Sequence, residues 1–208
     1  MLAHALLVIS SCNKINSPLN ETPIAPPSAS LPYQQIMKLQ GISSLHYVLC
    51  DSVVVNGVPK DSSLVPIDEY YVDSMHVKLI QYYFDNHYWN VTVYDLRKNI
   101  VWNYYSGKVT YPQLPNWPVA FEQSVQSCLG SNLRSSPVFL RTEYVDTRLC
   151  NVFTDSTGLQ EWVWPEHLLP IQQRGFGSQR SIYQISTTRK IIIDINVPFA
   201  DSIFEPRS

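Results

Sequence analysis

Residues 88–96 read YWNVTVYDL and residues 99–105 read NIVWNYY, with Arg97 and Lys98 at the turn between them. Both stretches are rich in β-branched and aromatic residues, which favour strands, and apolar and polar residues partly alternate along them. Because the connection between them is so short, the two stretches are predicted to pair as an antiparallel hairpin.

Similar stretches lie on both sides of this hairpin. Upstream, residues 44–55 end at Asn56-Gly57, a hairpin signal, and residues 69–84 form a further candidate strand. Downstream, the candidate strands are 139–145, 148–154, 159–164, 169–173, 180–186 and 191–196, with breaks at 175–178 and 187–189. Strands at spacings of about 8–12 residues predict a mainly β (α+β) fold, an antiparallel, half-open β-barrel of about ten strands.

Two helices interrupt the strands. Residues 32–40 predict a short N-terminal helix that starts near a proline and stops at Gly41. Residues 119–129 place Phe121, Val125, Cys128 and Leu129 at helical spacing before Gly130. This second helix is predicted to act as a lid or plug of the barrel.

The composition excludes several classes of protein. The 208 residues include 15% charged residues and carry a formal net charge of −2, so no basic excess is present to neutralise nucleic-acid phosphates. Seven glycines leave little room for glycine-rich nucleotide-binding loops. We therefore expect neither a nucleic-acid partner nor a nucleotide cofactor.

The N-terminus resembles a bacterial lipoprotein signal. Residues 1–12 read MLAHALLVISSC, in which an aliphatic residue and two small residues precede Cys12, although no Lys or Arg precedes the apolar stretch. In the lipobox family this cysteine becomes the lipid-bearing N-terminus, which predicts an extracytoplasmic protein anchored to a bacterial membrane and facing the periplasm or the cell surface. Residues 13–32, rich in Pro, Ser and Asn, predict an extended tether, and residues 33–208 the folded domain.

Patterns typical of catalytic or metal sites are missing from the sequence. The five histidines have no metal-ligand spacing, and no G-x-S-x-G elbow occurs. We therefore predict no catalytic residue, no metal and no enzymatic activity. If Cys12 carries lipid, Cys50, Cys128 and Cys150 remain; Cys128 and Cys150 are candidates for a disulfide, and three buried thiols are the alternative.

Three segments of the second half resemble bacterial LolA/LolB-like lipoproteins. They are RTEYVDTRLCNVF at 141–153, LQEWVWPEHLLPI at 159–171 and IFEP at 203–206, although Thr147 and Leu168 stand where that family often has glycine. The resemblance spans about residues 33–208. It implies an unclosed antiparallel barrel around a helix, with an apolar cavity that receives the acyl chains of lipids or lipoproteins.

The candidate wall of such a cavity consists of side chains that share faces of predicted strands: Trp89, Val91, Val93, Trp102, Tyr104, Trp162 and Trp164. The expected function is thus non-enzymatic binding or transport of lipid by a membrane-anchored lipoprotein. The alternative is a structural or protein-interaction lipoprotein of the same fold, in which these aromatic side chains fill the core and the partner is another protein.

Overall fold

The computed structural model describes residues 22–60, 68–83, 88–105, 107–112, 116–134, 136–179 and 182–206. Cys12 and His87 lie outside these residues, as does the whole predicted signal segment. Within the described ranges, no helix combines the length and the apolar character that crossing a membrane would require.

The described part of the chain forms one antiparallel sheet of twelve strands with two α-helices. The helices are α1 (Tyr33–Gln40) and α2 (Trp117–Leu129), and a short 3-10 helix spans Asp201–Phe204. The strands are β1 (Ser44–Val55), β2 (Val58–Lys60), β3 (Asp68–Asp73), β4 (His76–Tyr83), β5 (Tyr88–Asp95), β6 (Ile100–Tyr105), β7 (Lys108–Thr110), β8 (Val138–Val145), β9 (Arg148–Thr154), β10 (Gln160–Trp164), β11 (Leu169–Gln179) and β12 (Ile182–Ile195).

The strand order is β7-β6-β5-β4-β3-β1-β12-β11-β10-β9-β8, with β2 paired to β1. The first half of the chain therefore lies on one side of the central β1–β12 pair and the second half on the other. The two end strands, β7 and β8, are not paired with each other in the described structure, so the sheet stays open. The predicted mainly antiparallel, half-open β fold with two helices is confirmed.

The long predicted strand at 69–84 is two strands. The carboxylate of Asp73 accepts hydrogen bonds from the backbone N–H groups of Met75 and His76 at 2.6 and 2.9 Å, and this Asx-type turn reverses the chain. The predicted breaks at 175–178 and 187–189 are wrong. Both stretches continue as strand because β11 and β12 pair with each other from Gln172–Arg189 to Gln179–Ile182.

Both helices contribute to the main hydrophobic cluster. Ile36 of α1 and Phe121 and Val125 of α2 are buried together with Leu45 of β1 and Val72 of β3. The helices are also linked to each other, because Glu122 of α2 accepts a hydrogen bond of 2.9 Å from the backbone N–H of Tyr33 at the start of α1. The helices therefore cover alternate residues of the first strands, as a half-buried sheet requires.

On β5 and β6, the residues that alternate with Tyr94 and Val101 of the main cluster form a second cluster. Val91, Val93 and Trp102 are buried there against Phe204. Residues 197–206, here called the C-terminal strap, run across this cluster, and the indole N–H of Trp102 donates a hydrogen bond of 3.0 Å to the carbonyl of Phe204. Both sides of β5 and β6 are thus covered, one by helices and the other by the strap.

The predicted tether ends earlier than residue 32. Pro26 and Pro27 are buried, and a one-residue parallel bridge joins Ser28 to Ser131. The bridge is held by Ala29 N–H to the carbonyl of Ser131 at 2.9 Å and by Ser131 N–H to the carbonyl of Pro27 at 2.8 Å. Because these backbone groups pair with the segment after α2, residues 26–32 belong to the folded domain.

Candidate functional site

A cavity of about 190 Å3 lies between the C-terminal end of α2 and the centre of the sheet. Strands β1, β3, β10, β11 and β12 form its floor, and the residues that end and follow α2 form its roof. Its lining consists of Tyr47, Leu49, Tyr70, Ser127, Gly130, Asn132, Glu161, Pro170, Ile171, Gln172, Gln173, Thr188 and Lys190.

Strand register brings the polar lining residues together. Gln173 of β11 lies opposite both Glu161 of β10 and Thr188 of β12. Lys190 of β12 lies opposite Leu49 of β1, two residues from Thr188. Directly opposed residues, and residues two apart in a strand, share a face of the sheet, so these side chains converge on the cavity.

Glu161 is the buried acid of the cavity, with a side chain that is 1% exposed. Its carboxyl oxygens accept hydrogen bonds from the Ser131 hydroxyl at 2.5 Å, from the backbone N–H of Asn132 at 2.8 Å and from the Gln173 amide at 3.1 Å. Burial raises the pKa of Glu161, and these hydrogen bonds oppose the rise only in part. Glu161 therefore ties the segment after α2 to β10.

Lys190 is the buried base. Its Nζ donates a hydrogen bond of 2.6 Å to the carbonyl of Pro170 and lies 5.0 Å from the ring centre of Tyr47. Burial lowers the pKa of Lys190 to about 8, against the opposing effects of Cys128 and Glu161. Near neutral pH the cavity therefore holds a cationic ammonium beside an aromatic wall, a suitable partner for an acidic group.

The size of the cavity limits what can enter. An engineered apolar cavity of about 150 Å3 takes up a benzene-sized molecule, so a space of about 190 Å3 admits a fragment of slightly larger size. Whole acyl chains need more room. Tyr47 and Ile171 belong to both the cavity lining and the main hydrophobic cluster, so the cavity borders the apolar layer beneath the helices.

The residues predicted to wall a lipid cavity lie elsewhere. Of those whose side chains the structure describes, none lines this cavity: Val91, Val93 and Trp102 lie in the cluster under the C-terminal strap with Tyr104 packed against it, and Trp162 lies in the main cluster with Trp164 packed against it. The side chain of Trp89 lies outside the described part. A role of these residues in ligand contact stays a prediction.

Sequence reasoning did not single out Glu161 and Lys190. Both belong to β-rich stretches, QEWVW and TTRKIIIDI, in which charged residues stand among apolar and β-branched ones. A charge at an inward position of a strand is the only signal that the sequence offers. It becomes informative once the register shows that both residues face the same space.

The structure contains no disulfide between Cys128 and Cys150, which are separate thiols within the described residues. Both are buried in the main cluster. Burial raises the pKa of the Cys150 thiol to about 11, so it stays protonated at neutral pH.

The part of the chain that the structure describes does not bring together three or more His, Cys, Asp or Glu side chains in a group suited to a metal ion.

Comparisons with known proteins do not assign a family. No protein-family profile and no curated protein matches the chain. Among solved structures, PNGF-II is similar over 79% of this chain and 30% of that protein, with 10% identity and a TM-score of 0.38. A DUF1329 family protein from Desulfovibrio piger is similar over 83% of this chain and 94% of that one, with 13% identity and a TM-score of 0.24. The chain thus spans less than a third of PNGF-II, and similarity at these TM-scores carries no functional argument.

Proposed function

We propose that the protein is a non-enzymatic binding protein for an acidic single-chain lipid, anchored outside the cytoplasm through Cys12 as a LolA/LolB-like lipoprotein would be. In this proposal the acidic end of the lipid enters the cavity and pairs with Lys190. The chain then lies along the apolar layer beneath α2. Lipid is held and released without a covalent step.

One observation carries the proposal: Lys190 is a buried cation in a cavity that borders an apolar layer. A carboxylate or phosphate end would replace the hydrogen bond that Nζ now donates to the carbonyl of Pro170. Hydrogen bonds to charged groups contribute about 1.5–3 kcal/mol, so an acid should bind about tenfold or more tightly than a neutral analogue. Since the cavity holds only a fragment, a longer chain requires α2 to move away from the sheet.

The experiment compares decanoate with decanol by titration calorimetry on the delipidated protein. Decanoate is expected to bind the wild type about tenfold more tightly than decanol, because only the acid pairs with Lys190. The Lys190→Met variant keeps an unbranched side chain of similar length and should lose this preference. Lys38→Met, which removes an exposed lysine of α1 that does not line the cavity, is the matched control.

Two results would contradict the proposal. One is that neither compound binds to the wild type. The other is that Lys190→Met keeps the full preference for decanoate, which would place the acid elsewhere.

Membrane anchoring is tested separately. Cys12→Ser should release the protein from the membrane fraction, whereas unchanged fractionation would count against a lipid anchor at this residue.

A second candidate, a structural or protein-interaction lipoprotein, is favoured by the close packing of the layer between helices and sheet. Ile36, Leu45 and Val125 are fully buried there among other side chains of the protein. If this packing is permanent, the protein captures a protein partner and takes up no apolar probe. The decanoate titration distinguishes the two candidates.

A further inference from the structure

Strand β8 forms one end of the sheet, and one of its two edges is unpaired in the described structure. The other edge pairs with β9. An unpaired edge of eight residues presents backbone N–H and carbonyl groups that can bind a further strand. The opposite end of the sheet is less suited to this, because β7 has only three residues and begins with the exposed Lys108. An added strand is therefore best accommodated at β8.

The hairpin of β8 and β9 also exposes large apolar side chains. Tyr144 is 68% exposed and lies directly opposite Leu149, which is 47% exposed, so both side chains project from the same face. Val138 and Leu140 of β8 are exposed as well. Neighbouring apolar side chains at a protein surface mark interaction sites, whereas isolated ones do not. Exposed apolar residues thus lie on the same strand as the unpaired edge.

The sequence of β8 is complementary to itself. Around Thr142 it reads LRTEY, with Arg141 before the threonine and Glu143 after it. Two copies that pair antiparallel through β8 are related by a two-fold axis normal to the sheet. When this axis passes through Thr142, Arg141 of each copy lies directly opposite Glu143 of the other. Opposed Cβ atoms are about 4.5–5.5 Å apart, within reach of a guanidinium–carboxylate pair.

Charge selects this register over its neighbours. Opposed residues project from the same face and successive residues from opposite faces, so the axis must pass through a residue that lies opposite its own copy. An axis at Arg141 sets two guanidinium groups against each other, and an axis at Glu143 does the same with two carboxylates. Like charges directly opposite each other destabilise a strand pair. Of these three centres, only Thr142 sets each charge opposite its counterpart.

The charged side chains are already arranged for this contact. Glu143 accepts hydrogen bonds from Arg141 at 2.9 and 2.6 Å, and the guanidinium group lies 5.9 Å from the ring centre of Trp162. Both charged side chains remain almost half exposed. In a pair of copies the four charges form a square in which each guanidinium neighbours two carboxylates. Like charges then lie on the diagonals, farther apart than opposite ones.

We propose that a second copy of this chain docks on the β8 edge, so that two sheets join through antiparallel β8 strands centred on Thr142. The register of β8 with β9 shifts between Phe139 and Arg141, which limits the pairing to about residues 140–144. Because both copies use the same edge, the assembly closes at two. No residue of β8 lines the cavity at Lys190, so this dimer is independent of the proposed ligand.

The test measures the mass of the delipidated 208-residue protein by sedimentation velocity, over concentrations up to about 100 μM. The wild type is expected to dimerise in this range. Arg141→Glu and Glu143→Arg each set like charges opposite each other at two places, and each should weaken the dimer about tenfold or more. Lys108→Glu makes the same change of charge as Arg141→Glu at the other end of the sheet, and should leave the affinity within about twofold.

A mixture of the two single variants tests the register. In a mixed pair, Glu at 141 and Glu143 of one chain oppose Arg at 143 and Arg141 of the other, so the mixture should associate like the wild type although neither variant does alone. Thr142→Lys leaves the Arg141–Glu143 pair intact and sets two ammonium groups against each other on the axis. Since Thr142 is exposed, this variant tests the contact even if a charge reversal prevents folding. It should also weaken the dimer about tenfold or more.

Several results would overturn the inference. A wild type that stays monomeric leaves the edge to a strand of another protein. A dimer that persists in folded Arg141→Glu or in Thr142→Lys is formed through another surface, and an equal loss in Lys108→Glu reduces the effect to net charge. A mixture of the folded single variants that stays monomeric contradicts the register, and growth beyond two copies contradicts the two-fold closure.

Discussion

His46 of β1 and Asp194 of β12 form a hydrogen bond of 2.8 Å between Nδ1 and a carboxylate oxygen, across the central strand pair. On the other side of the ring, Nε2 lies 3.3 Å from a carboxylate oxygen of Glu69 on β3. Burial lowers the pKa of His46, but the bonds to the two carboxylates outweigh it, and the net shift is upward. One imidazole thus links the strands at which the two halves of the sheet meet.

This link should make stability depend on pH. A histidine whose folded pKa is raised stabilises the fold fully below its ordinary pKa of 6.5, and this contribution is lost as pH rises through the raised value. His46→Gln should therefore lower the free energy of unfolding by about 1–2 kcal/mol near pH 6 and by less near pH 9. Urea denaturation at both pH values measures the difference; an equal loss at both would contradict it.

Gly130 should be intolerant of a side chain. A Cβ at this position would lie 2.5 Å from Cα of Ala29, because the N-terminal segment crosses the end of α2 there. Gly130→Ala should push residues 27–31 away and destabilise the fold by about 1–3 kcal/mol. Gly175→Ala is the control, since its Cβ would meet only the Leu159 side chain at 3.7 Å. Thermal unfolding compares the two, and similar melting temperatures would argue against this docking.

Local sequence pattern was sufficient where neighbours in the chain decide the structure. Strands β1 and β9 have the predicted bounds because their β-branched and aromatic residues end at turn signals, Asn56-Gly57 and Asp155–Gly158. The polar run at 187–189 does not interrupt β12, because pairing with β1 and β11 on both sides outweighs weak local propensity.

The candidate site could not be predicted in the same way. Glu161 and Lys190 are 29 positions apart and meet only through the register of three strands. The hydroxyl and N–H groups that hold Glu161 come from Ser131 and Asn132, which follow a helix. Such a cluster depends on how helix and sheet pack, which residue spacing does not encode.

Phe204 should anchor the C-terminal strap. Its ring is 3% exposed and stacks 4.4 Å from the ring centre of His76, and Arg97 holds Asp201 of the strap at 2.7 Å. Phe204→Ala should cost about 3–5 kcal/mol in the free energy of unfolding, because it empties the cluster around Trp102. Phe176→Ala is the matched control, since that ring is 51% exposed and should cost under about 1 kcal/mol. Equal effects would show that the strap is not held by this ring.

Lys190 should make stability rise with pH in the alkaline range. Its folded pKa is lowered to about 8 from an ordinary 10.5, so between these values the unfolded chain binds a proton that the folded chain does not. The free energy of unfolding of the wild type should therefore increase, relative to Lys190→Met, by up to about 3 kcal/mol as pH rises from about 8 to about 10.5. Denaturant titrations across this range measure the difference, with Lys38→Met as a control that removes an exposed lysine. If the difference in the free energy of unfolding between the wild type and Lys190→Met does not change with pH, Lys190 is hydrated in the folded protein. The attraction proposed between the cavity and an acidic ligand would then be correspondingly weaker.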